Sequence, residues 1–149
     1  MRILIAVSAG NDGASDPVAA AASIPWPEGT LVRILTVAEN VHPPLLQLLE
    51  GARNASDVQA TVDSVAADIV ASTVARLKDK GFAADGVTLE GDPKSRIAEY
   101  AEEWGADLVV VGSCDKGRVE KFFVGSVSQS VVANAHCSVL VAKNGAPQT

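Results

Sequence analysis

Five short apolar runs mark the chain: Ile3–Val7, Leu31–Val37, a weaker one at Val87–Leu89, Leu108–Val111 and Val139–Val141. Each is brief and rich in Val, Ile or Leu, the pattern of strands covered on both faces. Between them the pattern changes period. Ile97, Tyr100, Ala101 and Trp104 fall at the i, i+3, i+4, i+7 spacing of one buried helical stripe. Val58, Val62, Val65, Ile69 and Leu77 predict a longer helix, with Gly81 placed to end it.

Two Asp-Pro pairs sharpen the helix starts. In Asp92-Pro93 the carboxylate accepts from orphan amides as N-cap, and the proline supplies a preset φ at the first helical position. Asp16-Pro17 repeats the signal before Val18–Ala22, and Pro25 and Pro27 stop that helix early. Strand and helix alternating to the end predict a mainly parallel sheet with helices on both faces. The longest irregular stretch is Glu39–Ser56, where His42-Pro43-Pro44 predicts a mobile loop. No internal repeat and no linker interrupts the pattern. Residues 1–144 read as one domain and 145–149 as a flexible tail.

Composition agrees with this picture. The chain has 149 residues, 48% of them apolar and 20% charged, enough for one domain with a sizeable core. Its net charge of -6 argues against an extended nucleic-acid surface, since phosphate backbones demand a clustered basic patch. The only dense basic stretch, Lys116, Arg118 and Lys121, reads as a solvated loop face. The apolar run after Arg2 is too short for a signal peptide or a membrane span, so a cytoplasmic protein without membrane partners is expected. Cys114 and Cys137 form no CxxC pair, and His42 and His136 stand alone, so no disulfide framework or metal site is expected. Cys114 is a candidate reactive thiol or an ordinary small loop residue; Cys137, Trp26 and Trp104 read as packing residues.

Open parallel sheets bind ligands beyond the carboxyl ends of their strands, where the strand order reverses. Two glycine-rich segments fall at such places: residues 8–13 after the first strand, and Gly112 onward to Gly125-Ser126 after the fourth. Glycine lets the backbone approach a phosphate, and the amides opening a helix hold its charge. Gly125-Ser126-Val127-Ser128 supplies such a terminus, with Val131 continuing the helix. Equally, Gly125 makes a tight turn and Ser126 merely caps the helix. Both readings stand. The chain has no GxGxxG after its first strand and no GxxxxGK[ST], and Ser8-Ala9 is not the acidic pair of a receiver domain.

Several segments, in order, resemble the universal stress protein family. They are the first strand Arg2–Ser8, Gly91-Asp92-Pro93 with Ile97–Ala101, Gly105–Ser113, and Val124–Lys143. The resemblance covers nearly the whole chain. It implies a three-layer α/β sandwich with a Rossmann-like five-stranded parallel sheet in the order 3-2-1-4-5. The reversal then falls beside Ser8 and Gly112. It also implies a homodimer through the last strand, Ser138–Lys143, which would otherwise remain an exposed apolar edge.

Nucleotide-binding members of the family carry a spaced glycine motif. Gly112 and Gly125-Ser126 match its first and last positions, but Asp115 stands where the middle glycine belongs. A carboxylate there repels phosphates, and the backbone loses its most permissive residue. Ser8 replaces the Asp that ATP-binding members usually carry at the end of the first strand. Val37 falls where the family's main chain meets the adenine edge. The resemblance further assigns Ala6, Val7, Val111, Ser113, Val127 and Ser128 to the lining. The expected ligand is therefore ATP or AMP, bound weakly or not at all because of Asp115 and Ser8, with magnesium only if ATP binds. The implied role is a stress-response sensor or signalling module; the alternative is a degenerate, nucleotide-free dimeric stress adaptor. No constellation of base, nucleophile and arginine makes turnover its purpose beyond slow ATP hydrolysis.

Overall fold

A computed structural model describes residues 1–7, 16–38, 55–113 and 125–143. Its strands are β1 (Arg2–Ala6), β2 (Leu31–Ala38), β3 (Ala83–Glu90), β4 (Leu108–Gly112) and β5 (Ser138–Ala142). Between them lie the helices α1 (Pro17–Ala22), α2 (Ala55–Asp79), α3 (Pro93–Trp104) and α4 (Ser126–Asn134). All strand pairings are parallel, and the sheet runs β3-β2-β1-β4-β5. The predicted order is the observed one.

Alternate side chains of the central strands feed two separate cores, as a period of two requires. Ile3, Ile5, Val32, Ile34, Leu108 and Val110 point one way, onto Val18 and Ala21 of α1 and Val70 and Leu77 of α2. Leu4, Leu35, Val109 and Val111 point the other way, onto Ile97 and Ala101 of α3 and Val131 of α4. Double coverage explains why β1, β2 and β4 read as continuous apolar runs.

The helix starts follow their predicted chemistry. Asp16 Oδ1 accepts from the amides of Val18 and Ala19, each at 3.0 Å, and Asp92 Oδ1 accepts from Lys94 at 3.0 Å. Both helices carry proline in the first turn. Helix α2 ends at Asp79, and Gly81 follows with φ of 90°, the left-handed stop predicted for it.

Three expectations need correction. Helix α2 begins at Ala55, inside the stretch expected to be irregular to Ser56; residues 39–54 lie outside the described ones. Its buried stripe is Ala66, Val70, Thr73 and Leu77, while Val65 is 45% exposed. One residue of offset rotates a side chain by about 100°, so a stripe chosen on Val65 faces away from the sheet. Finally, β3 spans Ala83–Glu90, far beyond the apolar Val87–Leu89.

The polar half of β3 has its own anchor. Asp85 sits opposite Arg33 in the β2–β3 register and takes its guanidinium bidentately, at 2.8 and 2.7 Å. Arg33 also donates to the Tyr100 hydroxyl at 2.9 Å and lies 4.6 Å from the centre of the Trp104 ring. One cation thus ties two strands to α3. The hydrogen bond to Arg33 holds the Asp85 carboxyl below its usual range, and the same bond raises the arginine further above neutrality. Trp104 is therefore more than the packing residue expected. Trp26 fits that description better: it packs beside Ala21 and donates its indole N–H to the Ala21 carbonyl at 2.8 Å.

Candidate functional site

With β2 on one side of β1 and β4 on the other, the strand order reverses between β1 and β4. The carboxyl ends of those strands carry the expected residues. Ala6 closes β1 beside Leu35 of β2, and Val37 follows two positions further along β2. Val111 and Gly112 close β4, paired with Val141 and Ala142. Beyond the paired stretch, the Val7 amide donates to the Leu35 carbonyl and the Ser113 amide to the Ala142 carbonyl, both at 2.9 Å.

Helix α4 returns to the same place. The Gly125 amide donates to the Ser113 carbonyl at 2.6 Å, which fixes the start of the helix against the end of β4. Gly125 is the N-cap and, having no side chain, offers no cap of its own. Ser126 is the first helical residue, which overturns the reading of Ser126 as the cap. The Gly125 φ of -59° needs no glycine for its own sake. The first bond within the helix runs from the Gln129 amide to the Gly125 carbonyl at 2.9 Å. By position, the amides of Ser126, Val127 and Ser128 have no partner inside the helix and carry the positive end of its dipole.

Burial separates the candidates. Ser126 is exposed and Val127 half-buried, while Ser128 is 3% exposed and Ser113 1%. The Ser128 hydroxyl donates to the Gly112 carbonyl. Ala6, Val7, Val37 and Gly112 are half-buried, and Val111 and Gly125 are buried. Ser8 and Asp115 lie outside the described residues, as do Cys114, His42 and the basic stretch Lys116, Arg118 and Lys121. Ten of the candidate residues thus converge on one end of the sheet, around the ends of β1, β2 and β4 and the start of α4.

None of these ten side chains titrates. What the described part of the site offers is hydrogen-bond donors and a helix dipole, a means of holding an anion. Sequence reasoning missed one participant. Thr36, 1% exposed, donates its hydroxyl to the Val7 carbonyl at 3.0 Å. The signal was present: a threonine inside an apolar strand must find a partner, since a buried hydroxyl left unpaired is costly.

Elsewhere, Cys137 packs half-buried beside the α4 core immediately before β5, and burial pushes its thiol up. That suits the packing role expected of it. Among the described residues no group of His, Cys, Asp and Glu side chains is arranged to hold a metal ion. Nor is any helix there long and apolar enough to cross a membrane.

A sequence model described as the universal stress protein family matches residues 1–143. The chain belongs to that family. A curated universal stress protein of Methanocaldococcus jannaschii is 49% identical over 55 residues, covering 37% of this chain and 32% of the relative. The chain spans about a third to a half of the length of the curated relatives it matches. Two solved structures are similar over nearly all of it. Universal stress protein UspA of Lactobacillus plantarum aligns with TM-score 0.77 at 23% identity, over 96% of this chain and 97% of its own. The universal stress protein of Archaeoglobus fulgidus, solved in complex with dAMP, aligns with TM-score 0.64 at 20% identity, over 96% of this chain and 98% of its own. These two likenesses support the Rossmann-like fold of this universal stress protein.

Proposed function

We propose that this universal stress protein is a cytoplasmic signalling module that binds an adenine nucleotide, ATP or AMP, at the reversal point of its sheet. One observation carries the reading. The clasp between Gly125 and Ser113 sets the opening amides of α4, those of Ser126, Val127 and Ser128, which have no acceptor within the helix, at the end of β4. The dAMP complex of the Archaeoglobus fulgidus relative supports the ligand class. In this reading the phosphates lie along Gly112, Ser113 and Gly125–Ser128. The nucleoside lies along Ala6, Val7 and Val37, with Val111 beneath it. Magnesium enters only with ATP.

Ser8 and Asp115 weaken the site, by removing a nucleoside acceptor and adding a like charge near the phosphates. Such contacts are worth about 1–3 kcal/mol each, enough together to weaken a micromolar site to roughly millimolar. Calorimetric titration is therefore expected to give roughly millimolar ATP affinity, and Asp115→Gly to tighten it about tenfold. Micromolar binding by the unaltered protein would refute the weakened site. No binding by either form would refute the sensor and leave the second reading, a nucleotide-free adaptor favoured by the same two residues.

Both readings include a homodimer through Ser138–Lys143. Among the described residues strand β5 is an edge of the sheet, and Val139, Leu140 and Val141 are each half-buried, apolar and paired only with β4. A long apolar edge is a template for another strand, and a lysine there blocks pairing. Light scattering is expected to give a dimer for the unaltered protein and a monomer for Val141→Lys. A monomeric unaltered protein would overturn the dimer.

A further inference from the structure

The carbonyls at the reversal point are capped, and by donors from different elements. Thr36 of β2 donates to the Val7 carbonyl, Ser128 of α4 to the Gly112 carbonyl, and the Gly125 amide to the Ser113 carbonyl. Val7 and Ser113 lie just past the strands, and Gly112 is the last residue of β4. Both hydroxyls belong to buried side chains. A bare carbonyl oxygen at the rim of a cleft presents partial negative charge to whatever enters. A neutral ligand tolerates that charge, whereas a phosphate is repelled by it, the more so because burial reduces screening. A hydroxyl that donates to the carbonyl places a positive hydrogen over its lone pair.

We propose that Thr36 and Ser128 are positioning residues that set the charge preference of the cleft: by capping Val7 and Gly112 they make it select nucleoside phosphates over the neutral nucleoside. The inference rests on the nucleotide reading. It gives Ser128 a role exerted through the Gly112 carbonyl, with its hydroxyl already engaged there. It also recruits Thr36, which the glycine motif does not include.

A purely structural role predicts something different. If these hydroxyls only satisfy themselves, removing either one weakens every ligand alike, or none. The test measures AMP, ATP and adenosine binding by calorimetry for the unaltered protein, Thr36→Val, Thr36→Ser and Ser128→Ala. The expected result is that Thr36→Val and Ser128→Ala each lose about fivefold to tenfold in AMP and ATP affinity, the worth of about one hydrogen bond. Adenosine affinity is expected to stay within about twofold, and Thr36→Ser, which keeps the hydroxyl, to retain the phosphate preference. Thr73→Val removes another buried hydroxyl, one bonded to the Ile69 carbonyl within α2, and is expected to change no affinity. Should Thr36→Val fail to fold, Ser128→Ala and Thr36→Ser still decide the matter.

Equal weakening of AMP and adenosine would overturn the inference and leave the nucleotide site standing. So would unchanged affinities in both cap-removing variants. Failure of the unaltered protein to bind any of the three ligands would overturn the site and the inference together.

Discussion

Leu35→Ala is expected to lower the stability of the fold by about 3–4 kcal/mol. Leu35 is fully buried in the middle of β2, packed with Leu4, Ile97, Val109 and Val131 beneath the α3–α4 layer. Its backbone pairs with Ala6 on one side and Val87 on the other. Truncation removes the transfer energy of three carbons and leaves a cavity whose walls hang from three strands and two helices. Walls fixed by so many elements relax little, which puts the loss toward the upper part of the range for such substitutions. Since domains are stable by only about 5–15 kcal/mol, the change takes a large share of the total. Urea unfolding should show a lower midpoint with an unchanged slope. A loss under about 1 kcal/mol would mean that α3 and α4 settle into the space.

Gly86→Ala is expected to destabilise by about 2 kcal/mol, although alanine is ordinarily the better strand residue. The reason is the approach of α2. A Cβ built on Gly86 would lie 2.2 Å from Val70 Cγ1 and 3.1 Å from Val74 Cγ2, with the Ile34 carbonyl at 3.5 Å. Val70 is buried, and a valine in a helix has one strongly preferred rotamer, so its methyl cannot swing aside. The helix must move away from β3 or the strand must bow. Val70→Ala in the same chain makes room for the new methyl, so the pair should be less damaging than the sum of the single changes by about 1–2 kcal/mol. Additive losses would show that the contact with Val70 is not the cause, and a neutral Gly86→Ala would show that α2 sits further out.

These two sites show what the sequence conveyed and what it hid. Strands β1, β2 and β4 were legible because burial on both faces leaves a run of Val, Ile and Leu with little else in it. Most of β3 was not. As an edge strand it has the polar Asp85, which answers Arg33 of β2, and the bare Gly86, which answers Val70 of α2. Each residue is explained by a partner distant in sequence, so local pattern gives Ala83–Gly86 no strand signal. The long helix shows the same effect in milder form. Its valines are spread widely enough to support two phases, and only contact with the sheet selects Val70 over Val65.

The site divides along the same line. Gly112 and Gly125 were legible as members of a spaced motif, and the structure joins them through Ser113. Ser128 was legible with them, and Thr36 carried the signal of a hydroxyl in an apolar strand, but what the two hydroxyls bond was not, because neither acceptor is local. The acceptors are the carbonyls of Val7 and Gly112, which only the folded sheet brings near.

The link from Gly125 to Ser113 also bears on how such a protein can diverge. Because it joins two backbone atoms, the end of β4 and the start of α4 are held together by a bond that needs no side chain from residues 114–124. The contact is made by main-chain atoms, so side chains on either side of it can be replaced while the site keeps this anchor.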